Sequence, residues 1–541
     1  MPALYALGLT LAVTAPLLAP GYLLLRDAVS TPRSYLSDFA LGLSESAPRA
    51  LPQDFLVAVL SHVVDGGVVV KVLLILGIWL AGWGAARLAA WVVDAGLGGQ
   101  LVAVTVAVWN PYVAERLLQG HWSLLVGYGC LPWVAVAALR LRDLCTISGA
   151  ERTKTCTNLV FWIALAGLTP TGLLLAAIVA LVCCRTWRSV WVVLATSVAA
   201  ALPWLVATVV AKSVLPVASA GVLAFAARAE PGLGTLGSLA GLGGIWNSAA
   251  VPASRTTLLA AVGTAALLIV VACGWRRAWS SRARPLLVMA VCAVVLPALL
   301  ATDAGSSFLD WVIRLAPGTG VLRDGQKWVA LAMPGYAVTG AAAVKVLRRW
   351  LPATFAAALC CIAVLAGLPD LAWGVGGQVR SVHYPAGWYA VAAQINADPR
   401  PVAALPPDVI RQFPWAGTAP ALDPLPRWVS AEVLATGDLM ISERTVPGEG
   451  ARARNVQGLL LRGASAAQLA SAGVGWVVVE GDAPELSLPI TYRDKDIALY
   501  RVGGSTPGAS GRGLLIAAHL VWLGMLVAGL VGMATARVRR S

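Results

Sequence analysis

The sequence contains little charge and little histidine. Only 12% of its 541 residues are Asp, Glu, Lys or Arg and 58% are hydrophobic, whereas soluble domains carry about 25% charged residues. Most of the chain is therefore expected to lie in lipid. Four histidines, His62, His121, His383 and His519, are too few for a histidine-rich metal site. P-loop, GxGxxG, HExxH and GxSxG motifs in the settings that their chemistry requires are also missing.

Acidic residues are scarce beside the basic ones, and the net charge is +14. A nucleic acid partner is one explanation of that excess. However, five basic loops hold sixteen of the 40 Lys and Arg residues, and basic loops stay in the cytoplasm when a membrane protein inserts. Topology and anionic lipid headgroups account for the charge, so we reject nucleic acid as a partner. The loops are 140–154, 185–188, 276–284, 345–349 and 537–540.

Cysteine is absent from every segment that this topology places outside. All nine cysteines fall in predicted spans or in the basic loops, which argues against a disulfide framework. The N-terminal apolar run has no basic residue before it and no convincing cleavage site. We therefore interpret it as a retained first span and not as a signal peptide.

Hydrophobic stretches of about 20 residues, the length that spans a bilayer, recur along the chain. The short run 98–109 and the long run 157–184, which turns at Thr169 to Gly172, must both be counted if the basic loops are to share one side. The sequence then predicts about twelve spans in the plasma membrane, with both termini cytoplasmic. The fold class is an all-α polytopic membrane protein with a C-terminal extracytoplasmic α/β domain.

Composition divides the chain into three parts. Residues 1–370 form the multi-spanning domain, and residues 371–510 have the Pro, Asp, Arg and Gln content of a soluble domain. Residues 511–541 form a last span with a basic cytoplasmic tail. Within the middle part, 474–480 and 497–502 are typical of strands, and 466–472 is typical of a helix.

The outward loops contain short helices of their own. In the segment 109–122, Asn110 suits an N-cap, Pro111 the first helical position and Gly120 the stop. The apolar segment 55–64 is expected to lie on the membrane surface as a helix. In 308–315, apolar residues recur at helical spacing with an i,i+4 ion pair, which predicts an interfacial helix.

The polar residues of these loops are the candidates for chemistry. Asp27 lies where the first span emerges, and a carboxylate at the edge of a low-dielectric cavity suits a general base because burial raises its pKa toward neutrality. Arg323 and Lys327 follow a glycine turn and suit a lipid-linked phosphate. Each has a plainer alternative: an interfacial anchor for Asp27 and its neighbour Arg26, and a charged span boundary for Arg323 and Lys327. Candidate substrate-binding residues are Asp38, Asn110, Tyr112, Glu115, Arg116, His121, Trp122 and Asp324, of which Glu115, Arg116 and His121 also fit a structural ion pair and a cap.

This layout resembles the GT-C class of integral membrane glycosyltransferases. The segments 26–33, 109–122 and 169–172 look like the multi-spanning members found in mycobacteria and their actinobacterial relatives, and 322–327 is loosely similar to a loop of their arabinofuranosyltransferases. The resemblance covers roughly the whole chain. One departure concerns the first loop, where many GT-C enzymes carry an acidic pair and this chain has a single Asp27 preceded by Arg26. No cofactor is assigned, and a divalent metal stays open.

The resemblance implies transfer of a sugar, arabinofuranose or mannose, from a polyprenyl-phosphate donor to an envelope polysaccharide or glycolipid on the outer face. Direct displacement would invert the anomeric centre. Asp27 would deprotonate the acceptor, while Arg323, Lys327 and Arg26 would bind the donor phosphate. The implied partners are the lipid-linked donor, the glycan or glycolipid acceptor and membrane lipids. Aromatic residues available for stacking on sugars, or for ordinary packing, are Trp373, Trp388, Tyr389, Trp415 and Trp428.

Two other functions stay open. A flippase or transporter of lipid-linked sugars would need charged residues or broken helices near the midplane, and the predicted spans are nearly free of charge. A non-catalytic scaffold of an envelope-synthesis complex would keep the same layout as a transferase.

Overall fold

The computed structural model describes most of the chain. The described residues are 1–45, 50–143, 149–210, 221–316, 318–407, 409–441, 444–446, 448, 450–481, 486–506 and 508–538. Helices dominate the first 377 residues and pack around one large hydrophobic core. A sheet forms within residues 402–501, and a long helix follows it.

The helices are short where the loops are polar and long where the sequence is apolar. In chain order they are α1 (Pro2–Thr14), α2 (Asp38–Leu41), α3 (Gln53–Leu60), α4 (Gly66–Val92), α5 (Leu97–Val108), α6 (Pro111–Gln119), α7 (Trp122–Arg140), α8 (Gly149–Ala166), α9 (Pro170–Cys183), α10 (Trp187–Val210), α11 (Gly221–Ala224), α12 (Gly234–Ala240), α13 (Leu259–Trp279), α14 (Arg284–Leu300), α15 (Asp303–Leu315), α16 (Met333–Leu347), α17 (Ala353–Ala366), α18 (Ala372–Gly377), α19 (Ala386–Ala397), α20 (Leu425–Trp428), α21 (Ala451–Leu461), α22 (Ala466–Ser471) and α23 (Arg512–Val538). Four residues of α18, from Trp373 to Gly376, have positive φ, so this segment is a left-handed turn.

The long apolar helices make this a multi-pass membrane protein. Among the described residues, seven helical segments are long and apolar enough to cross a bilayer, and nine if two bent pairs each count as one span. The bent pairs are α14 with α15, at 93°, and α17 with the segment Pro369–Gly377, at 74°. Two shorter apolar helices, Pro2–Leu18 and Pro170–Cys183, fall below that length. The predicted count of about twelve spans therefore stays a prediction.

Local sequence signals place several helix ends correctly. The Asn110 side chain accepts a hydrogen bond from the Val113 N–H at 3.1 Å, and Gly120 ends α6 with φ of 83°. At the predicted turn, the Thr169 hydroxyl caps α9 by accepting from the Gly172 N–H at 3.0 Å. The caps of α6 and the break before α9 are thus confirmed.

Two predicted surface helices differ in outcome. In α15, Phe308, Trp311 and Leu315 are exposed on one side while Leu309 and Ile313 are buried on the other, which confirms an amphipathic helix. The segment predicted at 55–64 overlaps α3, in which residues 53–58 are buried, whereas Val59, Leu60, Val63 and Val64 are exposed. The Phe55 ring lies 4.5 Å from that of His519 in α23. The helix is thus confirmed, and its position at the membrane surface stays a prediction.

The C-terminal module contains a mixed five-stranded sheet of order β10-β11-β9-β3-β6, in which β9, β3 and β6 are parallel and β10 and β11 antiparallel. Two cores cover the sheet, one containing α19 and the other containing α21 and α22. Along β9, Trp476 and Val478 face the first core while Val477 and Val479 face the second, as strand alternation requires. The predicted strands and helix of this region are confirmed. The strands are β1 (Leu24–Leu25), β2 (Ala28–Val29), β3 (Val402–Leu405), β4 (Ile410–Arg411), β5 (Ala421–Leu422), β6 (Val433–Leu434), β7 (Leu439–Ile441), β8 (Arg444–Val446), β9 (Trp476–Glu480), β10 (Ile490–Arg493) and β11 (Ile497–Arg501).

This module is joined to the first polar loop by backbone hydrogen bonds. The Arg26 N–H donates to Pro420 O at 2.8 Å, and the Leu422 N–H donates to Arg26 O at 2.9 Å. Tyr22 and Val382 exchange a similar pair at 2.8 and 2.9 Å. The β1–β2 hairpin is therefore an extension of the β4–β5 hairpin of the module.

Side chains reinforce the same junction. Arg427 of α20 forms a buried ion pair with Asp54 of α3 at 3.1 Å, and the Tyr384 hydroxyl donates to Ser30 O at 2.9 Å. The domain boundaries near residues 370 and 510 stay predictions. The contacts show that the module and the first loop are packed as one unit at this point.

Candidate active site at the Asp27 turn

Asp27 lies at the tip of the β1–β2 hairpin, where the chain reverses. Arg26 has φ of 48°, and the Asp27 N–H donates to Gln119 O at 3.1 Å. The hairpin tip thus rests on the C-terminal end of α6. Gly120 permits this approach, since a Cβ there would lie 2.3 Å from the Ala28 nitrogen.

The Asp27 carboxylate is held on one oxygen only. Its Oδ2 accepts from Gln119 Nε2 at 3.1 Å and lies 2.8 Å from His121 Nε2. Within the part of the chain that the structure describes, Oδ1 has no hydrogen bond, and 36% of the side chain is exposed. The second oxygen is therefore open to a ligand.

His121 connects Asp27 to a buried arginine. Its Nδ1 lies 3.1 Å from an Arg116 NH1 group, and because arginine can only donate, Nδ1 must accept. The imidazole proton is then on Nε2, which donates to Asp27. Burial lowers the pKa of His121, and the neighbouring charges of Arg116 and Lys327 lower it further against the opposing effect of Asp27. The imidazole is neutral near pH 7.

Opposing effects act on the pKa of Asp27. Burial raises it, but the hydrogen bonds from His121 and Gln119 and the charge of Lys327 outweigh burial and bring it below its ordinary value. The prediction that burial raises this pKa toward neutrality is wrong, because the hydrogen bonds favour the ionised form. At neutral pH Asp27 is a carboxylate.

Behind His121 lies a buried ion pair between two distant parts of the chain. Arg116 NH1 and NH2 donate to the two oxygens of Asp324 at 2.9 and 3.0 Å. Burial opposes ionisation of Asp324, but Arg116 and Lys327 hold its pKa well below the ordinary range. The Lys327 ammonium lies 3.7 Å from Asp324 Oδ2 and stays partly exposed.

A second buried network fixes α6 and the loop that precedes α13. Gln326 accepts from Arg116 and donates to Glu115 Oε2 at 2.9 Å. The Glu115 oxygens also accept from the backbone N–H groups of Gly244 and Ile245, at 3.2 and 3.1 Å. Neither Gln326 nor the 244–249 loop was among the predicted site residues. Gln326 lies inside the 322–327 segment that carried the resemblance, so its position was a usable signal.

The three predicted phosphate-binding residues lie in different surroundings. Lys327 lies in the cluster, and the Arg323 guanidinium stacks 4.3 Å from the ring centre of Phe225. Arg26 is buried, and its guanidinium donates to the carbonyl oxygens of Leu118 and Ala249. Its geometry favours a structural clamp between the hairpin, α6 and the 244–249 loop.

Several predicted substrate-binding side chains make their contacts within the chain itself. Asn110 is buried and bonded to the backbone of α5 and to Tyr128. Tyr112 is also buried and stacks on Tyr128 with centroids 5.1 Å apart. Glu115 and Arg116 are fully buried, and so is most of Trp122. These positions favour a supporting role for α6 and the start of α7.

Asp38 lies outside the cluster of residues around Asp27. It forms an ion pair with Arg512 at the first turn of α23, and no contact in the described residues links it to Asp27. Within that same part of the chain, no group of three or more His, Cys, Asp or Glu side chains is arranged to hold a metal ion.

The aromatic residues of the C-terminal module differ in exposure. Trp388 and Trp428 are core residues, whereas Tyr389 and Trp373 are exposed. Trp415 is partly buried against the rings of Tyr384 and Phe413. Stacking on a glycan is therefore open to Tyr389, Trp373 and Trp415 only.

Comparison with known proteins points to a fold. No protein-family model matches the chain, and no curated protein matches it. Among solved structures, the chain is similar to one that has a GT-C-like fold. That structure is a cryo-EM class of a mutant of arabinofuranosyltransferase AftD from Mycobacteria, with a TM-score of 0.52 and 17% identity over 93% of this chain and 41% of that one.

A second class of the same AftD mutant has a TM-score of 0.47 and 16% identity over the same shares of the two chains. The chain thus spans about two fifths of the length of the structure that it resembles. The likeness shows a shared fold.

Proposed function

We propose that the chain is a membrane glycosyltransferase of the GT-C type. It transfers arabinofuranose or mannose from a polyprenyl-phosphate donor to a cell-envelope polysaccharide or glycolipid at the outer face. The observation that carries this proposal is the Asp27 turn, where a carboxylate with an open oxygen is held beside Lys327 in a fold of this kind. The name of the AftD neighbour favours arabinofuranose.

Asp27 acts as the general base. The acceptor hydroxyl binds at Oδ1 and loses its proton there as its oxygen attacks the anomeric carbon, and the sugar–phosphate bond breaks on the opposite side. A positioned base of this kind contributes roughly 10² to 10⁴ in rate. Because Asp27 is ionised at neutral pH, it is ready to accept the proton, although its lowered pKa makes it a weaker base than a buried, isolated carboxylate.

Lys327 and Arg323 bind the donor phosphate and stabilise it as it leaves. Lys327 is partly exposed and within reach of the charge on Asp27. Asp324 holds its ammonium group, and Arg116 in turn holds Asp324. Developing negative charge on the phosphate oxygens is stabilised by such fixed cations. His121 and Arg116 orient Asp27 and do not touch the substrate.

The test is turnover by the purified full chain in nanodiscs, supplied with polyprenyl-phospho-arabinose or polyprenyl-phospho-mannose and a mixed glycan acceptor pool. Wild type should form product with one donor, and Asp27→Asn should lose at least about 100-fold in rate. Asp303→Asn is the matched control, since Asp303 is an exposed carboxylate at the start of α15. Undiminished turnover by Asp27→Asn would exclude this base. Movement of donor between leaflets without product would favour a flippase.

A further inference from the structure

A groove opens between the end of α13 and the beginning of α14, far from the Asp27 turn. Its volume is about 540 Å³, within the ~300–1,000 Å³ of small-molecule sites. The residues that line it are Trp275, Arg276, Trp279, Val288, Val291 and Cys292. Apart from the Arg276 guanidinium and the Cys292 thiol, the side chains that line the groove are apolar.

The tryptophan end of the groove lies at the opposite end of α13 from the loop that contacts the candidate active site. The loop that precedes α13 contacts Glu115 and Gln119, and Trp275 comes sixteen residues after the start of α13 at Leu259. At 1.5 Å per residue this is a separation of roughly 24 Å along the helix. A donor phosphate bound at Lys327 is therefore separate from the Trp275–Trp279 end of the groove.

The rim of the groove is strongly basic. The segment from Trp275 to Arg284 contains Arg276, Arg277, Arg282 and Arg284 and no carboxylate. The Arg284 guanidinium lies 5.0 Å over the ring of Trp279, so it is held at the mouth of the groove. Arg276 is exposed and has no hydrogen bond or ion pair among the described side chains. The rim has the charge that an anionic headgroup requires.

The walls suit a hydrocarbon chain. Val291 is 47% exposed, and Val288, Trp279 and Cys292 are also exposed. The rings of Trp275 and Trp279 stack with centroids 6.0 Å apart and form one continuous surface. Tryptophan pairs at the end of a span mark the level of the lipid headgroups, and basic pockets between spans bind anionic lipid headgroups.

We propose that this groove is a binding site for an anionic phospholipid. One acyl chain packs between the tryptophan pair and Val288 and Val291, and the phosphate is bound by Arg276 and Arg284. The site is independent of the proposed sugar transfer, since its ligand, location and test involve none of the residues around Asp27.

The first test is lipid binding by the full chain in detergent, measured by native mass spectrometry with phosphatidylglycerol and phosphatidylcholine of the same acyl chains. Wild type should retain phosphatidylglycerol at least 10-fold more tightly. Arg276→Gln with Arg284→Gln should reduce that preference to near unity, whereas the control Arg348→Gln with Arg349→Gln should keep it, because those exposed arginines belong to the α16–α17 connector. Equal binding of the two lipids by wild type, or equal loss in both double variants, would overturn the proposal.

The second test needs no basic-site variant and so does not depend on how the arginine variants fold. Cys292 lines the groove and is exposed, so its modification by a thiol reagent, followed by peptide mass spectrometry, reports occupancy. Phosphatidylglycerol should slow this modification several-fold and phosphatidylcholine should not. An unchanged rate with phosphatidylglycerol would contradict an acyl chain in the groove.

Discussion

At the scale of residues, the side chains around Asp27 divide by exposure. Asn110, Glu115 and Arg116 are buried and direct their hydrogen bonds to the protein. Asp27 and Lys327 stay partly exposed. In the proposed function few atoms are left for ligand binding, and the buried residues set where those atoms lie.

The pH dependence of turnover follows from His121. Its pKa is lowered below the ordinary value of about 6.5, so the neutral ring that accepts from Arg116 and donates to Asp27 is present above that range. Acidification protonates the ring, which ends the bond from Arg116 and adds a positive charge beside Asp27. We expect kcat/KM to be constant around neutral pH and to fall only on acidification below about 6.5, since the pKa of His121 lies under that ordinary value. A rate that still rises between pH 7 and 8 would identify a base with a raised pKa.

Gly120 supports the Asp27 turn in a way that can be tested separately from stability. Gly120→Ala places a Cβ against the hairpin backbone and also requires alanine at φ of 83°. Gly503→Ala also requires alanine at a positive φ, 96°, but its Cβ would have no atom within 4 Å. Gly503→Ala should cost about 1–2 kcal/mol in the free energy of unfolding, and Gly120→Ala should cost more because its Cβ also clashes with backbone atoms. Only Gly120→Ala should reduce kcat, by about 100-fold, because the base is displaced.

Thermal unfolding and initial rates of both variants, measured side by side, distinguish these effects. Equal kcat in the two variants would show that the hairpin tip does not depend on close packing at Gly120.

At this scale the sequence predicts local backbone structure and not contacts between distant residues. Asn110, Pro111 and Gly120 act on neighbouring backbone, so the helix they bound follows from the sequence. The bond between Arg116 and Asp324 joins residues 208 positions apart, and no spacing rule anticipates it. The pKa of Asp27 was predicted in the wrong direction for the same reason, since His121 and Lys327 reach it only through the tertiary fold.

At the scale of elements, the β1–β2 hairpin belongs to two parts of the molecule. Its tip rests on α6, and its Arg26 backbone pairs with Pro420 and Leu422 in the C-terminal module. The backbone next to Asp27 is therefore bonded to both α6 and the module. This pairing was not foreseen, because strands of two residues carry almost no sequence signal.

The buried ion pair between Arg427 and Asp54 is expected to hold this junction. Arg427→Met leaves the Asp54 charge buried and unpaired, which costs about 3–5 kcal/mol. Arg452→Met removes the partly exposed pair with Glu432 and should cost under about 1 kcal/mol. Hydrogen exchange should rise in residues 22–35 of Arg427→Met and stay unchanged there in Arg452→Met.

Exchange that rises to the same extent in both variants, or in neither, would contradict a junction that depends on Arg427. Reduced turnover in Arg427→Met is expected to accompany the faster exchange, since Asp27 lies within the affected segment.

At the scale of the whole molecule, composition alone defined the membrane class and the location of the sheet. The number of spans could not be settled in the same way. Helices such as α1 and α9 are too short to count by length, and α14 and α17 end in sharp bends. Hydropathy reports apolar length, whereas bends and tilt depend on packing between helices.

Sidedness connects the candidate site to the proposed donor. We propose that the Asp27 turn faces outside, because the positive-inside rule keeps basic connectors such as 276–284 and 345–349 in the cytoplasm. This proposal goes with a lipid-linked donor, whose sugar is delivered within the plane of the membrane.

Transfer by sealed membrane vesicles tests this account most directly. Right-side-out vesicles containing the wild-type chain and polyprenyl-phospho-arabinose are mixed with a soluble, membrane-impermeant acceptor glycan, and product is counted with and without permeabilisation. The account predicts product in intact right-side-out vesicles, none in intact inverted vesicles, and none in either with Asp27→Asn. Product formed only by inverted vesicles, or formed equally well by Asp27→Asn, would contradict it.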